Sequence, residues 1–494
     1  MTRNLFSRTY AGGLGWTVAL MVVVTVGCSL NDLGRQDVSS MIERNMKGRS
    51  ITAEHYGRVP EAESKPVRED QTPQKTRSAE TLREFIVLAL AQNPDIQSAR
   101  DRARAKAERI AQATALPDPT FNTKTLPEPV RTAEGDNFFN LSLKEKFPVP
   151  QKLDRAGRIA LEETRIAIHQ LRETRLRVIA DVKRSYFGLY AIDKSIEITR
   201  DNQDLLRGLI DVARAQVAAG RRAQDDVLRA QVELSNLEAE LINLRQRRVT
   251  VVARLNELLS RDPATFIASP EDFDIRRADM SIDKLFAAAI KRNPTLERIR
   301  RQIERDRQSV QLAKLAYWPD FTLGFDWIKM ESRDAFRPPP NPNTGVRPVT
   351  SRMSQDGSDN WAINFGFTLP IWYDKIKAGI EESRRNLYAS RQQYTSMRNE
   401  VYFRVQDALE RVRAQRDLAA LFRDTIIPQA QQTYQVSQAS YMAGTNDFLY
   451  VIDNWRKWLV FTIQYYRSLG ELERSVADLE QALGLSLDEA GEPQ

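Results

Sequence analysis

One order of landmarks runs through this chain twice. Asn93-Pro94 returns as Asn293-Pro294, Pro117 ahead of Phe121 as Pro319 ahead of Phe321, Phe147-Pro148 as Leu369-Pro370, and Ala219-Gly220 as Ala443-Gly444. The offsets are 200, 202, 222 and 224 residues, and the single jump marks a longer loop in the second copy. Duplication on this scale predicts two homologous halves. Each half reads helix, strand, strand, very long helix, sharp turn, helix, an order that no common layered enzyme fold follows.

Composition fits long solvated helices better than a thick core. Aromatic residues make up 8% of the 494 and charged residues 28%, with a mean hydropathy of -0.49. The net charge of +7 comes from 73 basic and 66 acidic residues mixed along the chain. Without a basic stripe interleaved with aromatics, that excess describes a solvated helical surface and predicts no nucleic-acid partner.

Residues 1–27 have the form of a signal peptide, with Arg3 and Arg8 ahead of an uncharged, mostly apolar run. The only cysteine, Cys28, follows at once, preceded by Thr25-Val26-Gly27. It is similar to the lipid-accepting cysteine of bacterial lipoproteins, although Thr25 stands where that pattern has an apolar residue. Lipidation of Cys28 would anchor the chain to a membrane. The alternatives are a signal peptide with a coincidental cysteine and an uncleaved membrane helix. No later apolar run is long enough for a spanning helix, so any membrane crossing must use strands. The organisation expected is a signal peptide over 1–27, a lipid-anchored polar leader over 28–79, a first repeat over 80–262, a linker over 263–280, a second repeat over 281–486 and a tail over 487–494.

Each half carries two strand candidates, near 120–126 and 138–147 in the first and over 321–327 and 361–369 in the second. Phe139, Leu141 and Leu143 alternate with Asn140, Ser142 and Lys144. Phe321, Leu323, Phe325 and Trp327 alternate with Thr322, Gly324 and Asp326, and Trp361, Ile363, Phe365, Phe367 and Leu369 with Ala362, Asn364, Gly366 and Thr368. One face is greasy, the other small or polar, as in membrane-spanning strands; a half-buried soluble sheet has the same period. Four strands cannot close a barrel alone, so a barrel would have to be oligomeric. Residues 127–137 and 328–360 are expected as the connecting loops.

After each strand pair comes an exceptional helix, expected over 151–218 and 373–442, the second kinked at Pro428. Steps of three and four at Ile179, Val182, Tyr186 and Leu189, at Leu234, Leu237, Leu241 and Leu244, and at Leu469, Leu472, Val476, Leu479 and Leu483 predict coiled-coil hairpins. Gly220 and Gly444 are placed to end helices in the left-handed conformation.

Over about residues 81–484 the chain resembles the TolC-like outer-membrane efflux proteins. The resemblance rests on the paired Asn-Pro starts, Leu116-Pro117-Asp118-Pro119, and Phe147-Pro148-Val149-Pro150. It rests also on Ala219-Gly220 with Asp226-Val227-Leu228-Arg229-Ala230-Gln231, and on Tyr441-Met442-Ala443-Gly444 with Phe448-Leu449. It implies a mainly α fold with a small β part: coiled-coil hairpins forming an α-barrel, and four strands per chain in a trimeric transmembrane β-barrel. The implied partners are two further copies, outer-membrane lipid, a periplasmic adaptor and an inner-membrane pump of the RND type. Gly220, Arg221, Gly444 and Thr445 fall at the adaptor-docking tips. Asp226, Tyr441 and Asp453 match the family's periplasmic gate. Tyr450 stands in place of a second gate aspartate, and Asn446 in place of an arginine that locks the closed state.

The structural alternatives are plain: a helix-start charge for Asp226, inter-helix packing for Tyr441 and a solvated helix position for Asp453. Neither His55 nor His169 sits in a nucleophile or metal-ligand constellation, so no catalytic residue, cofactor or metal site is expected. The function expected is a passive efflux conduit. Phe147-Pro148-Val149-Pro150-Gln151-Lys152-Leu153 leans toward heavy-metal systems, although Gln151 replaces their usual glycine. The alternatives are the duct of a type I protein secretion system and a soluble coiled-coil scaffold.

Overall fold

The computed structural model describes residues 81–132, 135–273, 281–332, 340, 342–346 and 357–487. Cys28 and the leader lie outside the described residues, as do most of the second hairpin loop, part of the linker and the residues after 487. The chain divides into two compact units. Among the described residues, one holds 105–164 and 301–391, and the other 81–104, 165–300 and 392–487.

The first unit contains a four-stranded antiparallel sheet in chain order: β1 (Thr120–Thr132), β2 (Gly135–Phe147), β3 (Phe321–Glu331) and β4 (Asn360–Phe367). The register carries the alternation across all four strands. Phe121, Leu143, Phe325 and Ile363 form one row, and Thr123, Leu141, Trp327 and Trp361 the next. Because side chains alternate faces, the intervening row of Asn122, Ser142, Asp326 and Ala362 points the other way, as does the row of Thr120, Lys144, Gly324 and Asn364. On that polar face Asn364 donates to Asp326. On the apolar face Trp361 and Phe365 stay 68% and 69% exposed, uncovered among the described residues.

The first hairpin corrects the expected loop over 127–137. β1 continues through Pro127 and Pro129, and β2 begins at Gly135. The prolines interrupt pairing between Thr125 and Val130 without ending the strand. An edge strand tolerates a missing N–H where a central strand would lose a ladder bond. In the second pair, β3 runs beyond Trp327 to Glu331, and β4 stops at Phe367 rather than Leu369.

The strand-to-helix junction turns on Asp320. Its backbone N–H donates to the Thr368 hydroxyl at 2.8 Å, and its carboxylate accepts from Lys152 at 2.6 Å and Lys146 at 3.0 Å. Burial alone would raise the Asp320 pKa, but the two lysine hydrogen bonds outweigh it and hold the carboxyl below its ordinary value.

The helices are α1 (Leu82–Gln92), α2 (Pro94–Thr114), α3 (Pro150–Ala218), α4 (Asp225–Leu258), α5 (Ile282–Arg292), α6 (Pro294–Lys314), α7 (Tyr373–Leu421), α8 (Ile427–Met442) and α9 (Phe448–Leu483). The kink expected at Pro428 is a five-residue π-turn, Phe422–Ile426, between α7 and α8. A proline cannot donate to the carbonyl four residues back and its ring crowds that carbonyl, so the helix widens just before it.

In the second unit the duplication becomes packing. Phe85, Ile86 and Ala89 of α1 seat against Val182 and Leu189 of α3 and Val252 and Leu255 of α4. In the second half, Leu285 and Ala289 of α5 seat against Val405 and Leu409 of α7 and Leu472 and Leu479 of α9.

The repeated Asn-Pro pair fastens each arrangement. Asn93 Oδ1 accepts from the N–H groups of Asp95 and Ile96, while its Nδ2 donates to the Leu258 carbonyl at 3.0 Å. Asn293 likewise accepts from Thr295 and Leu296 and donates to the Ala482 carbonyl at 2.8 Å. One amide thus caps the proline-led helix and ties it to the end of its own half's last helix. Beside this contact, Gly484 has φ +82°, and a Cβ there would come within 2.8 Å of the Asn293 Cα. The corresponding turn in the first half uses Ser260 at φ 54°.

Asn293 is only 5% exposed. Asn293→Ala removes a cap and strands a half-buried carbonyl, so it should lower stability by about 1–3 kcal/mol. Asn293→Asp keeps the cap acceptor but loses the donor to Ala482 and should fall between. Chemical denaturation followed by circular dichroism checks this ordering.

Candidate functional site: the paired helical tips

Both hairpin turns end a helix in the same way. After α3, Gly220 takes φ +66°, and Arg221 N–H reaches back to the Gln216 carbonyl at 3.0 Å. After α8, Gly444 takes φ +82°, and Thr445 N–H reaches the Ser440 carbonyl at 3.0 Å. These bonds close two Schellman turns, satisfying carbonyls that the helices leave unpaired. A Cβ on either glycine would meet nothing, so the positive φ alone demands glycine. Arg221 and Thr445 are exposed at the turns.

Tyr441 and Asp226, far apart in sequence, meet here. The Tyr441 hydroxyl donates to Asp226 Oδ2 at 3.0 Å, and the two residues are 1% and 6% exposed. Phe448 packs its ring 5.1 Å from that of Tyr441. Arg222 lies over the Tyr441 ring, 5.0 Å from its centroid, and donates to the Asn446 carbonyl at 2.6 Å. One guanidinium therefore makes a cation–π contact and a charge-assisted hydrogen bond across the two tips. Just above, Trp455 Nε1 donates to Asn202 Oδ1 at 2.9 Å, joining α9 to α3 in a buried seam.

Burial is the largest influence on Asp226 and raises its pKa. The Tyr441 hydrogen bond opposes the rise, Asp225 and Asp447 add to it, and Arg222 opposes it; the net displacement is upward. Burial and then the Asp226 carboxylate push the Tyr441 phenol far above its usual range.

Tyr450 and Asp453 stand apart from this cluster. Tyr450 is 59% exposed, and Asp453 pairs at 2.7 Å with Lys457 one helical turn on. The sequence reading missed Arg222 and Lys457. Lys457 was legible from its i, i+4 spacing; Arg222, beside the turn residue Arg221, carried no signal of its reach to Asn446. Among the described residues no group of three or more His, Cys, Asp or Glu is arranged to hold a metal, and no helix is long and apolar enough to cross a membrane.

The model of the outer membrane efflux protein family matches residues 85–261 and 285–485. The chain belongs to that family. It is an outer-membrane efflux channel, and its two matched blocks are separated by residues 262–284. It is 22% identical to the cobalt-zinc-cadmium resistance protein CzcC of Cupriavidus metallidurans over 83% of this chain and 92% of that protein. It is also 22% identical to nodulation protein T of Rhizobium leguminosarum bv. trifolii, over 82% of this chain and 85% of that protein. Among solved structures it is similar to CusC, with a TM-score of 0.69 and 15% identity over 83% of this chain and 93% of CusC.

An aspartate whose folded pKa is raised favours the folded tip most at low pH, and that contribution is lost as pH rises through the folded pKa. Hydrogen-exchange protection of residues 219–226 and 441–448, corrected for intrinsic rates, should therefore fall as pH rises from below the ordinary aspartate range into the range above it. Asp226→Asn should abolish this dependence. Tyr441→Phe, which removes a hydrogen bond to a charged acceptor, should weaken tip protection at neutral pH by about 1.5–3 kcal/mol.

Proposed function

We propose that three copies of this chain form the outer-membrane tube of a tripartite efflux system that conducts divalent metal cations passively outward. One observation carries the reading: a sheet with one continuous apolar face and open edges at both β1 and β4. In lipid such edges must pair, and further copies supply the missing strands without breaking the register. The helices support the same assembly. Leu228, Val232, Ile242 and Val249 lie on one heptad-spaced stripe of α4 and are all more than half exposed. A helix of another copy would cover that stripe. The cargo rests on the relative named for cobalt, zinc and cadmium resistance.

The tips Gly220, Arg221, Gly444 and Thr445 meet a periplasmic adaptor, which joins the tube to an inner-membrane pump of the RND type. The Tyr441, Asp226 and Arg222 cluster holds each protomer's two tips together near the entrance. Asp453 faces the axis as a threefold ring, with Tyr450 beside it, and Lys457 softens the field of each carboxylate. Such a ring favours cations.

In a strain lacking this gene, plasmid-borne wild type should restore growth on cobalt, zinc or cadmium. Asn364→Arg should do the same. Phe365→Arg should fail to insert, at a cost of about 2–4 kcal/mol if the residue faces mid-bilayer. Rescue of drug tolerance or of protein secretion without metal tolerance would reject the cargo. Equal behaviour of the two arginine variants would reject the barrel.

In planar bilayers, Asp453→Asn should lower cation selectivity and Lys457→Met should raise it. No change in either would remove Asp453 from the constriction.

A further inference from the structure

A cleft in the helical unit, bounded by α3, α4 and α9 with Gln415 of α7 at its margin, encloses about 640 Å³. Five arginines line it, against only two carboxylates, Asp181 and Glu471. Three of the five are engaged. Arg184 donates to Asp181 at 2.6 Å and to Asp478, which lies outside the lining. Arg254 pairs with Glu257 at 2.6 Å and Arg474 with Glu471 at 2.8 Å. Arg247 and Arg467, one on α4 and one on α9, have no hydrogen-bond or carboxylate partner among the described residues. With Asp478 and Glu257 included, five guanidinium groups face four carboxylates, which leaves one positive charge.

A second observation points to the same place. Ser468 lines the cleft, is 2% exposed, and its Oγ has no hydrogen-bond partner among the described residues. Helical hydroxyls normally bond back to the carbonyl four residues earlier. Thr462 on the same helix does so to Trp458 at 2.8 Å, as Ser195 on α3 does to Ala191 at 2.7 Å. The Ser468 hydroxyl is thus left as a buried donor in the same cleft lining as Arg247 and Arg467, both without partners among the described residues, and such a donor costs free energy unless an acceptor enters. The floor is tight: a Cβ on Gly470 would stand 2.9 Å from Ala191 Cβ and 3.0 Å from the Phe187 carbonyl. Glycine lets α9 and α3 meet there, below the cleft.

We infer that this cleft is an anion-binding site, in which Arg247, Arg467 and Ser468 receive one phosphate or carboxylate group of a small ligand. Guanidinium forks match the oxygens of either group, and one surplus positive charge suits a single acidic group rather than a polyanion. The inference stands independently of the metal cargo, because the site takes anions and lies apart from the tip residues.

Titration calorimetry of the full-length protein in detergent tests it, with inorganic phosphate and malonate as separate probes. The expected result is saturable binding of at least one probe, one site per chain, weakening as sodium chloride rises. Which probe binds tells whether the site suits phosphate or carboxylate. Arg247→Gln and Arg467→Gln should each weaken binding about tenfold or more, and Ser468→Ala less. Arg229→Gln, which alters an exposed arginine of α4 paired with Asp225, should leave binding unchanged. The substituted arginines are exposed, and unchanged thermal melts establish that the variants fold. Absence of saturable binding up to roughly 10 mM of either probe overturns the proposal. So does equal binding by wild type and an Arg247→Gln, Arg467→Gln double variant. Loss of oligomer in that double variant, with no probe bound by wild type, would instead assign the arginines to a carboxylate of a neighbouring copy.

Discussion

Main-chain donors and acceptors cannot be left unpaired in hydrocarbon, where each costs several kcal/mol. The four-stranded sheet satisfies its interior ladders but leaves β1 and β4 open at its two edges. On its apolar face Phe121, Leu143, Phe325, Ile363 and Trp361 stay exposed among the described residues. For an outer-membrane channel, these two deficits are one design. Lipid covers the face, and only more strands can complete the edges. The prolines of β1 fit the same logic, because they sit on an edge strand where a register shift absorbs them.

The helical unit solves a different problem. Long helices packed side by side bury only narrow seams, so their ends need specific fastening. Asn93 and Asn293 provide it at one level, each using both faces of one amide to cap a helix and grip the final turn of another. Gly484 permits the second of these grips by letting its backbone approach Asn293. At the tips a buried carboxylate takes over the fastening. Asp226 is held by Tyr441 from the other hairpin, and Arg222 returns the connection by reaching to Asn446. An ionised aspartate in so buried a place is a cost that its hydrogen bond only partly offsets. The contact is therefore firm yet sensitive to protonation.

Much of this architecture was legible in the residues themselves. Period-two alternation marked the strands, steps of three and four marked the hairpin seams, Asn-Pro marked helix starts, and Gly220 and Gly444 marked the turns. Each of these features follows from geometry within a few residues of chain, so sequence alone determined them. The extension of β1 past Pro127 was not legible, because a proline ends or merely interrupts a strand depending on whether its neighbour is a partner or solvent. The π-turn before Pro428 was legible as a break and not as a type. Likewise, Tyr441 and Asp226 could be singled out only by resemblance, and Arg222 not at all. Their meeting requires α3, α4, α8 and α9 to arrive side by side with matched lengths. Only the tertiary structure decided that, since burial and partner choice depend on residues more than 200 positions away.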